Sequence, residues 1–249
     1  MKRRALIIFC DNTQSGELHG TVQDYHNYYN FLTSSLGGHW YNKEIEYLRN
    51  PTVDEVIDTV TRFSSLNLDY VFTIFSGHGF INTQDNLQYI ELKNGYLKSA
   101  LLLTSATRQT IIVDACRNLL DYSQTLSGIL KEEDLPFIGD VTPSTRALFD
   151  SFLSQTEEGW VMVYSANIGE SSYDTTNGGV YLYSLLLSAL FWRDNDSKHN
   201  ILPINITHQD AKNIVEAYNQ NQHPSIINNI DNRLYFFPFA VKHTSNHNL

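Results

Sequence analysis

The chain has 249 residues, of which 42% are hydrophobic, so one large domain over 1–249 is more natural than two small ones. Its net charge of −10 is spread without a long block of like charge, which offers no basic surface for nucleic acid or anionic lipid. Only two cysteines are present, Cys10 and Cys116, which disfavours a disulfide framework and fits a reducing, cytoplasmic setting.

The first half of the chain alternates strand-like and helix-like segments, the pattern of a parallel sheet covered by helices. The apolar run 5–10 follows basic residues, as in a signal peptide, but it is short and ends at Asp11, so it predicts a core strand. No apolar stretch reaches the ~20 residues of a membrane-spanning helix. The next predicted elements are a helix over 21–36, a strand over 45–48, a helix opened by Pro51 and a strand over 70–75.

The second half of the chain begins with a hairpin signal, because Asn94-Gly95 separates two strand-like runs. Between 121 and 158 the hydrophobic periodicity weakens and turn residues collect, which predicts a linker. The other predicted elements are a helix over 97–106, strands over 109–113 and 160–165, helices over 146–153, 180–190 and 209–218, and a terminal strand over 233–241 that Pro238 breaks.

Two motifs follow neighbouring predicted strands, Ser76-Gly77-His78-Gly79 and Asp114-Ala115-Cys116-Arg117. Ligands of open α/β sheets bind at the carboxyl ends of the strands. A catalytic thiol needs a histidine to take its proton and amide donors for the developing oxyanion. The motifs supply His78 as base, Cys116 as nucleophile, and the amides of Gly79 and Cys116 as oxyanion donors. Taken singly, a turn histidine and a small buried thiol are the commoner interpretation.

These motifs resemble the caspase and metacaspase superfamily, whose histidine lies in a Ser-Gly-His-Gly or Ser-His-Gly turn and whose cysteine lies in a Gln-Ala-Cys-Arg-Gly or Asp-x-Cys segment. His78 precedes Cys116 by fewer residues than the about 50 of the caspase signature, which indicates fewer surface insertions. The similarity covers nearly the whole chain, through the segments 18–24, 164–166, 178–179, 222–224 and 236–239.

This resemblance implies an α/β caspase-like fold, in which a mostly parallel central sheet of about six strands is flanked by helices on both faces. Residues 1–120 would form the large-subunit-like half that carries the histidine and the cysteine. Residues 121–158 would be the linker, and residues 159–249 the small-subunit-like half.

The same resemblance implies a preference for basic residues. Caspases cut after aspartate with two arginines and the glutamine before Ala-Cys, but here Asp114 replaces that glutamine and Asp174 stands where one arginine would be. Asp24 occupies the position where metacaspases, which cut after basic residues, keep an aspartate. Arginine is expected over lysine because a guanidinium binds paired carboxylates bidentately. Ser76 and Tyr173 are further candidates for the pocket, and the alternative for Asp24 and Asp174 is a plain surface acid.

Activation and context are also expected from the resemblance. Family members are often activated by cutting the linker, so Arg146 and Lys131 are candidate self-cleavage sites. Metacaspases frequently require calcium, but no calcium site is recognisable and the histidines lack zinc spacing, so no cofactor or metal is expected. The expected partners are protein substrates with a basic cleavage site and an upstream activator, and a monomer is favoured over a homodimer. Some similar compact prokaryotic proteins act in cell death or antiphage defence.

Two other functions remain open at this stage. The first is a catalytically silent caspase-like scaffold that regulates a partner, against which the intact His78 and Cys116 argue. The second is an α/β hydrolase with a serine nucleophile, which the absence of a Gly-x-Ser-x-Gly elbow disfavours. The sequence therefore predicts a cysteine endopeptidase with an acidic specificity pocket.

Overall fold

The secondary structure alternates between strands and helices in the computed structural model, which describes residues 1–119, 143–230 and 236–243. The helices are α1 (Gly20–Thr33), α2 (Val53–Ser64), α3 (Pro143–Gln155), α4 (Val180–Asn195) and α5 (Ile204–Tyr218), with short 3-10 helices at Asn42–Glu44 and Ser99–Leu102. The strands are β1 (Arg3–Phe9), β2 (Asn12–Thr13), β3 (Gly16–Glu17), β4 (Ile45–Arg49), β5 (Tyr70–Ser76), β6 (Gly79–Asn82), β7 (Leu87–Leu92), β8 (Gly95–Lys98), β9 (Arg108–Asp114), β10 (Gly159–Tyr164), β11 (Asp174–Thr175), β12 (Gly178–Gly179), β13 (Ile201–Pro203), β14 (Ser225–Asn228) and β15 (Pro238–Val241).

A six-stranded sheet in the order β14-β10-β9-β5-β1-β4 forms the centre of the protein. Its four pairs from β10 to β4 are parallel, and β14 joins the edge antiparallel to β10. Parallel strands are buried on both faces and are therefore mostly apolar, and β5 is buried along its whole length. The predicted mostly parallel sheet is confirmed.

Helices and a small sheet cover the two faces of this central sheet. On one face α1, α3, α4 and α5 pack into a single apolar cluster, which contains Phe31, Leu153, Leu186 and Val215. On the other face α2 packs through Val56, Val60 and Phe63 beside the small sheet β6-β7-β8. Helix α4 has buried residues all around its axis, as expected of a helix inside a core.

Two predicted elements differ from the structure, and one strand was not predicted. Residues 97–106 form the end of β8 and a 3-10 helix rather than an α-helix, because the hairpin continues past Gly95. The sixth strand of the central sheet is β14, which the sequence analysis did not predict. The terminal strand β15 lies outside the central sheet and pairs with β13. Pro238 begins β15 rather than breaking a strand, as its missing amide allows.

Helix α3 lies within the predicted linker over 121–158 and contains the helix predicted over 146–153. Phe149 and Leu153 of this helix are 2% and 0% exposed in the core. Arg146 was expected in a flexible stretch, but it lies in the first half of α3 and donates two hydrogen bonds of 2.7 Å to the Glu44 carboxylate. Lys131 lies outside the described residues.

Removal of the Arg146 side chain should destabilise the fold. Both partners of the Arg146–Glu44 pair are mostly buried, with side chains 15% and 11% exposed, so Arg146→Ala would leave a charged acceptor poorly solvated. We expect the free energy of unfolding to fall by about 1.5–3 kcal/mol in urea denaturation of a Cys116→Ala background. Arg193→Ala breaks an exposed pair with Asp194 and should cost about 0.5 kcal/mol or less. Equal losses in the two variants would contradict the structural role.

Within the described ranges, no helix is long and apolar enough to cross a membrane.

Candidate active site

The histidine and cysteine motifs lie side by side at the carboxyl edge of the sheet. Strands β5 and β9 are parallel neighbours in which Ser76 is paired with Asp114, and the Gly77 amide donates a 3.1 Å hydrogen bond to the Asp114 carbonyl. His78 follows Ser76, and Cys116 follows Asp114, with one residue between in each case. Gly79 closes the gap between the motifs, since a Cβ there would lie 2.9 Å from the Cβ of Ala115.

The His78 imidazole has one ring nitrogen available for proton transfer. Its Nε2 is buried and has no hydrogen-bond partner among the described residues, while the imidazole also bonds to the Gly16 carbonyl. Burial lowers the pKa of His78, and the nearby Glu91 carboxylate opposes that shift. The ring is therefore held largely neutral, as a base that accepts a thiol proton must be.

The Cys116 thiol is partly buried against the backbone of Ser172. The Ser172 amide donates to Sγ at 3.4 Å, and its carbonyl accepts from the thiol at 3.5 Å. Burial raises the pKa of Cys116, so the resting group is a neutral thiol. Cys10 lies deeper, where burial raises its pKa to about 12. Of the two thiols, Cys116 is the more accessible to bases and substrates.

Gln88 of strand β7 fixes the loop that carries the nucleophile. Its amide nitrogen donates to the Cys116 carbonyl at 3.1 Å, and its oxygen accepts from Arg117 Nε at 3.0 Å. Arg117 lies 4.1 Å over the Tyr164 ring and is absent from the groups that shift the pKa of Cys116. The sequence analysis missed Gln88, although a glutamine on the same face as the buried Ile90 was the available signal.

Three carboxylates, those of Asp24, Asp114 and Asp174, lie near one another, and Asp114 also acts on the Cys116 thiol. Asp24 of α1 accepts a 2.6 Å hydrogen bond from Ser76 Oγ and bonds of 3.0 and 3.1 Å from the Gly179 amide. Asp114 accepts from the hydroxyl of Ser172, the residue that also contacts Sγ. Asp174 accepts a 3.1 Å hydrogen bond from the Gly20 amide, and its Oδ1 is buried with no partner among the described residues.

Glycines make room for these acids. A Cβ at Gly179 would lie 2.1 Å from Asp114 Oδ2, and one at Gly178 would lie 2.1 Å from Asp24 Oδ1. Gly178 also has a φ of +111°, a conformation that other residues rarely adopt. The Gly178-Gly179 pair is therefore required at the junction between the pocket and helix α4.

The three pocket carboxyls all have raised pKa values. Burial, Asp114 and Asp174 all raise the pKa of Asp24 well above its ordinary value, and burial also raises the pKa of Asp114. Burial raises the pKa of Asp174 to about 6. Among the described residues, no Lys or Arg is one of the main influences on these three pKa values. A cationic ligand would favour the charged form of each acid.

The two remaining candidate residues, Ser76 and Tyr173, have different contacts. The Ser76 hydroxyl donates a 2.6 Å hydrogen bond to Asp24. Tyr173 packs half-buried against the core cluster and accepts a bond from the Val180 amide through its carbonyl, so packing accounts for its contacts. Among the described residues, no group of three or more His, Cys, Asp and Glu side chains is arranged to hold a metal ion.

Comparison with known proteins agrees with the fold and the motifs. A family model described as the caspase domain matches residues 2–235, and the chain therefore belongs to the caspase-domain family of cysteine peptidases. No curated protein matches significantly.

Solved structures show the same fold at low sequence identity. Caspase-1 from Spodoptera frugiperda is 15% identical, with a TM-score of 0.59, over 91% of this chain and 86% of that chain. A protein from Geobacter sulfurreducens is also 15% identical, with a TM-score of 0.62, over 98% of this chain and all of that chain.

Proposed function

We propose that the protein is a cysteine endopeptidase that cleaves protein substrates after a basic residue, with arginine preferred to lysine. The observation that carries this proposal is the cluster of three buried carboxyls, Asp24, Asp114 and Asp174, of which Asp114 bonds to the residue that contacts the Cys116 thiol. Groups with strongly perturbed pKa values cluster at functional sites. The pocket would take a guanidinium or ammonium group and would repel an aspartate side chain.

The chemistry assigned to the site is acyl transfer to the thiol. His78 Nε2 takes the proton of Cys116, and the sulfur attacks the scissile carbonyl carbon while its oxygen accepts hydrogen bonds from the amides of Gly79 and Cys116. His78 returns the proton to the leaving amine, so that a thioester and a free amine result. Water then adds to the thioester with His78 as base, which releases the new carboxylate and the thiol.

Arginine fits this pocket better than lysine for a geometric reason. The planar guanidinium presents several N–H donors and can bind two carboxylates at once, whereas an ammonium is a point charge. The Asp174 Oδ1 atom is buried without a partner among the described residues and is therefore free to accept from such a donor. The acceptors of Asp24 are already engaged by Ser76 and Gly179, so Asp24 has less capacity to bind the ligand directly.

The silent-scaffold alternative is favoured by one observation, the burial of the Cys116 thiol against Ser172. In an active enzyme the substrate carbonyl must reach the sulfur, so the segment around Ser172 has to yield when substrate binds. A scaffold would keep this contact in every state. Reaction of the protein with an arginyl chloromethyl ketone separates the two functions, because only an active enzyme is alkylated at Cys116.

The test of the proposed function is digestion of an unbiased peptide library, followed by mass spectrometry of the new termini. We expect new carboxyl ends at arginine, fewer at lysine, and none with the Cys116→Ala variant. Cleavage after aspartate or leucine that depends on Cys116 would keep the thiol chemistry and refute the pocket.

The pH dependence of this activity follows from Asp174. Because its pKa is raised to about 6, Asp174 loses its charge as the pH falls through about 6. We expect kcat/KM for an arginine peptide to fall over the same range, and Asp174→Asn to remove this acid limb.

The stability of the free protein depends on pH in the opposite direction. The free energy of unfolding falls as pH rises from 3.8 to about 6, because the folded state disfavours the charged form of Asp174. The pH profile of kcat/KM checks the predicted loss of activity, and thermal melting with and without benzamidine checks the predicted change in stability.

The rest of the proposal concerns activation and context. We propose a monomer without cofactor or calcium requirement, controlled by an upstream activator. Cleavage after Arg146 would require the start of α3 to unwind and the bonds to Glu44 to break. A role in prokaryotic cell death or phage defence rests on family resemblance. Equal phage plating on hosts that carry the wild type or Cys116→Ala would oppose it.

A further inference from the structure

We propose that Glu91 is a positioning residue of this active site, which holds the β2–β3 turn against His78 and faces the imidazolium with a buried negative charge. This inference rests on the proposed function, in which His78 becomes charged during each turnover. Glu91 would act through His78 and would not touch the substrate.

Glu91 is tied to the histidine at two points. It belongs to β7 and is 2% exposed, and its own amide donates a 2.9 Å hydrogen bond to the His78 carbonyl. Its Oε1 accepts a 3.0 Å hydrogen bond from the Ser15 amide, one residue before the Gly16 carbonyl that bonds to the imidazole. One residue therefore fixes the backbone of His78 through its amide and the turn that orients the ring through its carboxylate.

The position of Glu91 in its strand is unusual. Its neighbours Ile90 and Leu92 point into the apolar cluster beneath the small sheet, so Glu91 lies on the opposite face. That face is open elsewhere, as at Tyr96, which pairs with Glu91 in the register and is 37% exposed. Glu91 is buried because the β2–β3 turn covers it.

A buried carboxylate needs a positive partner. Lys98, on the adjacent strand β8, pairs with Asp85 at 3.0 Å. Among the described residues, no ion pair joins Glu91 to a Lys or Arg. The positive charge that forms beside Glu91 is the imidazolium produced when Cys116 gives up its proton, and a buried acid behind a catalytic histidine stabilises that state.

Other titratable groups near this pair have separate roles. Cys10 and Asp11 follow β1; Asp11 pairs with Arg49 at 2.7 Å, and Cys10 stays neutral. Glu17 of β3 lies 3.6 Å from the exposed His19. Glu91 is the acid that raises the pKa of His78 against the effect of burial, and it also raises that of Cys10.

The decisive experiment is an NMR titration of His78 in the full-length Cys116→Ala protein, with the signal assigned by its loss in a His78→Gln variant. Glu91→Gln keeps the size and an acceptor for Ser15 but removes the charge, so we expect the pKa of His78 to fall by about one unit or more. Asp85→Asn, on the same small sheet, should leave it unchanged. If the amide variant does not fold, Glu91→Met removes the charge in a similar volume and carries the same expectation. A shift below about 0.2 unit in a folded variant overturns the proposal.

Kinetics in the active enzyme give a second readout. We expect Glu91→Gln to lower kcat on an arginine peptide about tenfold or more with KM nearly unchanged, and to move the limb that reports His78 to lower pH. A rise in KM with kcat unchanged would overturn the proposal. The titration needs no cleavage, so a wild type that fails to cut any peptide refutes the proposed function while the role of Glu91 is still decided.

Discussion

Replacement of Cys116 by alanine is expected to abolish peptide cleavage, with kcat reduced by about 10³-fold or more. The sulfur is the atom that would form the covalent intermediate, whereas the Ser76 hydroxyl at the end of β5 is bonded to Asp24. His78→Ala should cause a loss of similar size, because the two side chains act as one unit and their effects are not additive. Steady-state hydrolysis of an arginine peptide measures both losses.

The matched control is Cys10→Ala. Cys10 is fully buried at the end of β1, and its raised pKa of about 12 keeps it a neutral thiol at every working pH. We expect this variant to retain activity and to keep reacting with iodoacetamide at Cys116. Cleavage that survives in a folded Cys116→Ala protein, or that disappears in a folded Cys10→Ala protein, would contradict the assignment of the nucleophile.

Neutralisation of the pocket carboxylates is expected to have the second largest effect. Asp174→Asn and Asp114→Asn keep the shape of each side chain but remove a charge that a bound guanidinium would pair with. A hydrogen bond between charged groups contributes about 1.5–3 kcal/mol, so each variant should lose about 10-fold to 100-fold in kcat/KM on an arginine peptide. Activity on a leucine peptide should hardly change, because its side chain makes no use of the charges.

The control for this experiment is Asp85→Asn, which removes an acid from the small sheet outside the pocket. It should leave the preference for arginine over leucine intact. Denaturation curves must accompany each variant, because Asp114 also bonds to Ser172 and to the Leu182 amide. If Asp174→Asn and Asp114→Asn lower arginine and leucine cleavage equally, the acids shape the site and do not select the substrate.

The central strands and the two motifs were predictable because their signals are local. The runs before His78 and Cys116 are continuous stretches of apolar and β-branched residues, which is typical of buried parallel strands. Once those strands are neighbours, their carboxyl ends meet at one edge of the sheet. The helix α2 was equally clear, because Thr52 and Glu55 form a capping box before its apolar stripe.

The sequence did not reveal residues whose roles depend on distant partners. Gln88 and Ser172 contact the nucleophile loop from other parts of the chain, and neither belongs to a motif. Strand β14 is short and polar at its outer end, so only its pairing with β10 identifies it. Arg146 lay in a weakly periodic segment, and its helix is stabilised by tertiary contacts that include the pair with Glu44.

The identity of the pocket acids was predictable from the sequence, but their convergence in the fold was not. Their identity could be aligned with a family pattern, but their convergence on Gly178 and Gly179 depends on the packing of α1 against the turn before α4. Burial then sets their pKa values, and burial at this junction is a property of the folded chain alone.

The most direct test of the central claim is the ratio of kcat/KM for two fluorogenic peptides that differ only in an arginine or an aspartate before the cleaved bond. With three carboxylates in the pocket, we predict a preference for arginine of about 10³-fold or more, lost with Cys116→Ala. A preference for aspartate, or equal rates on the two peptides, would contradict the acidic pocket as the basis of specificity.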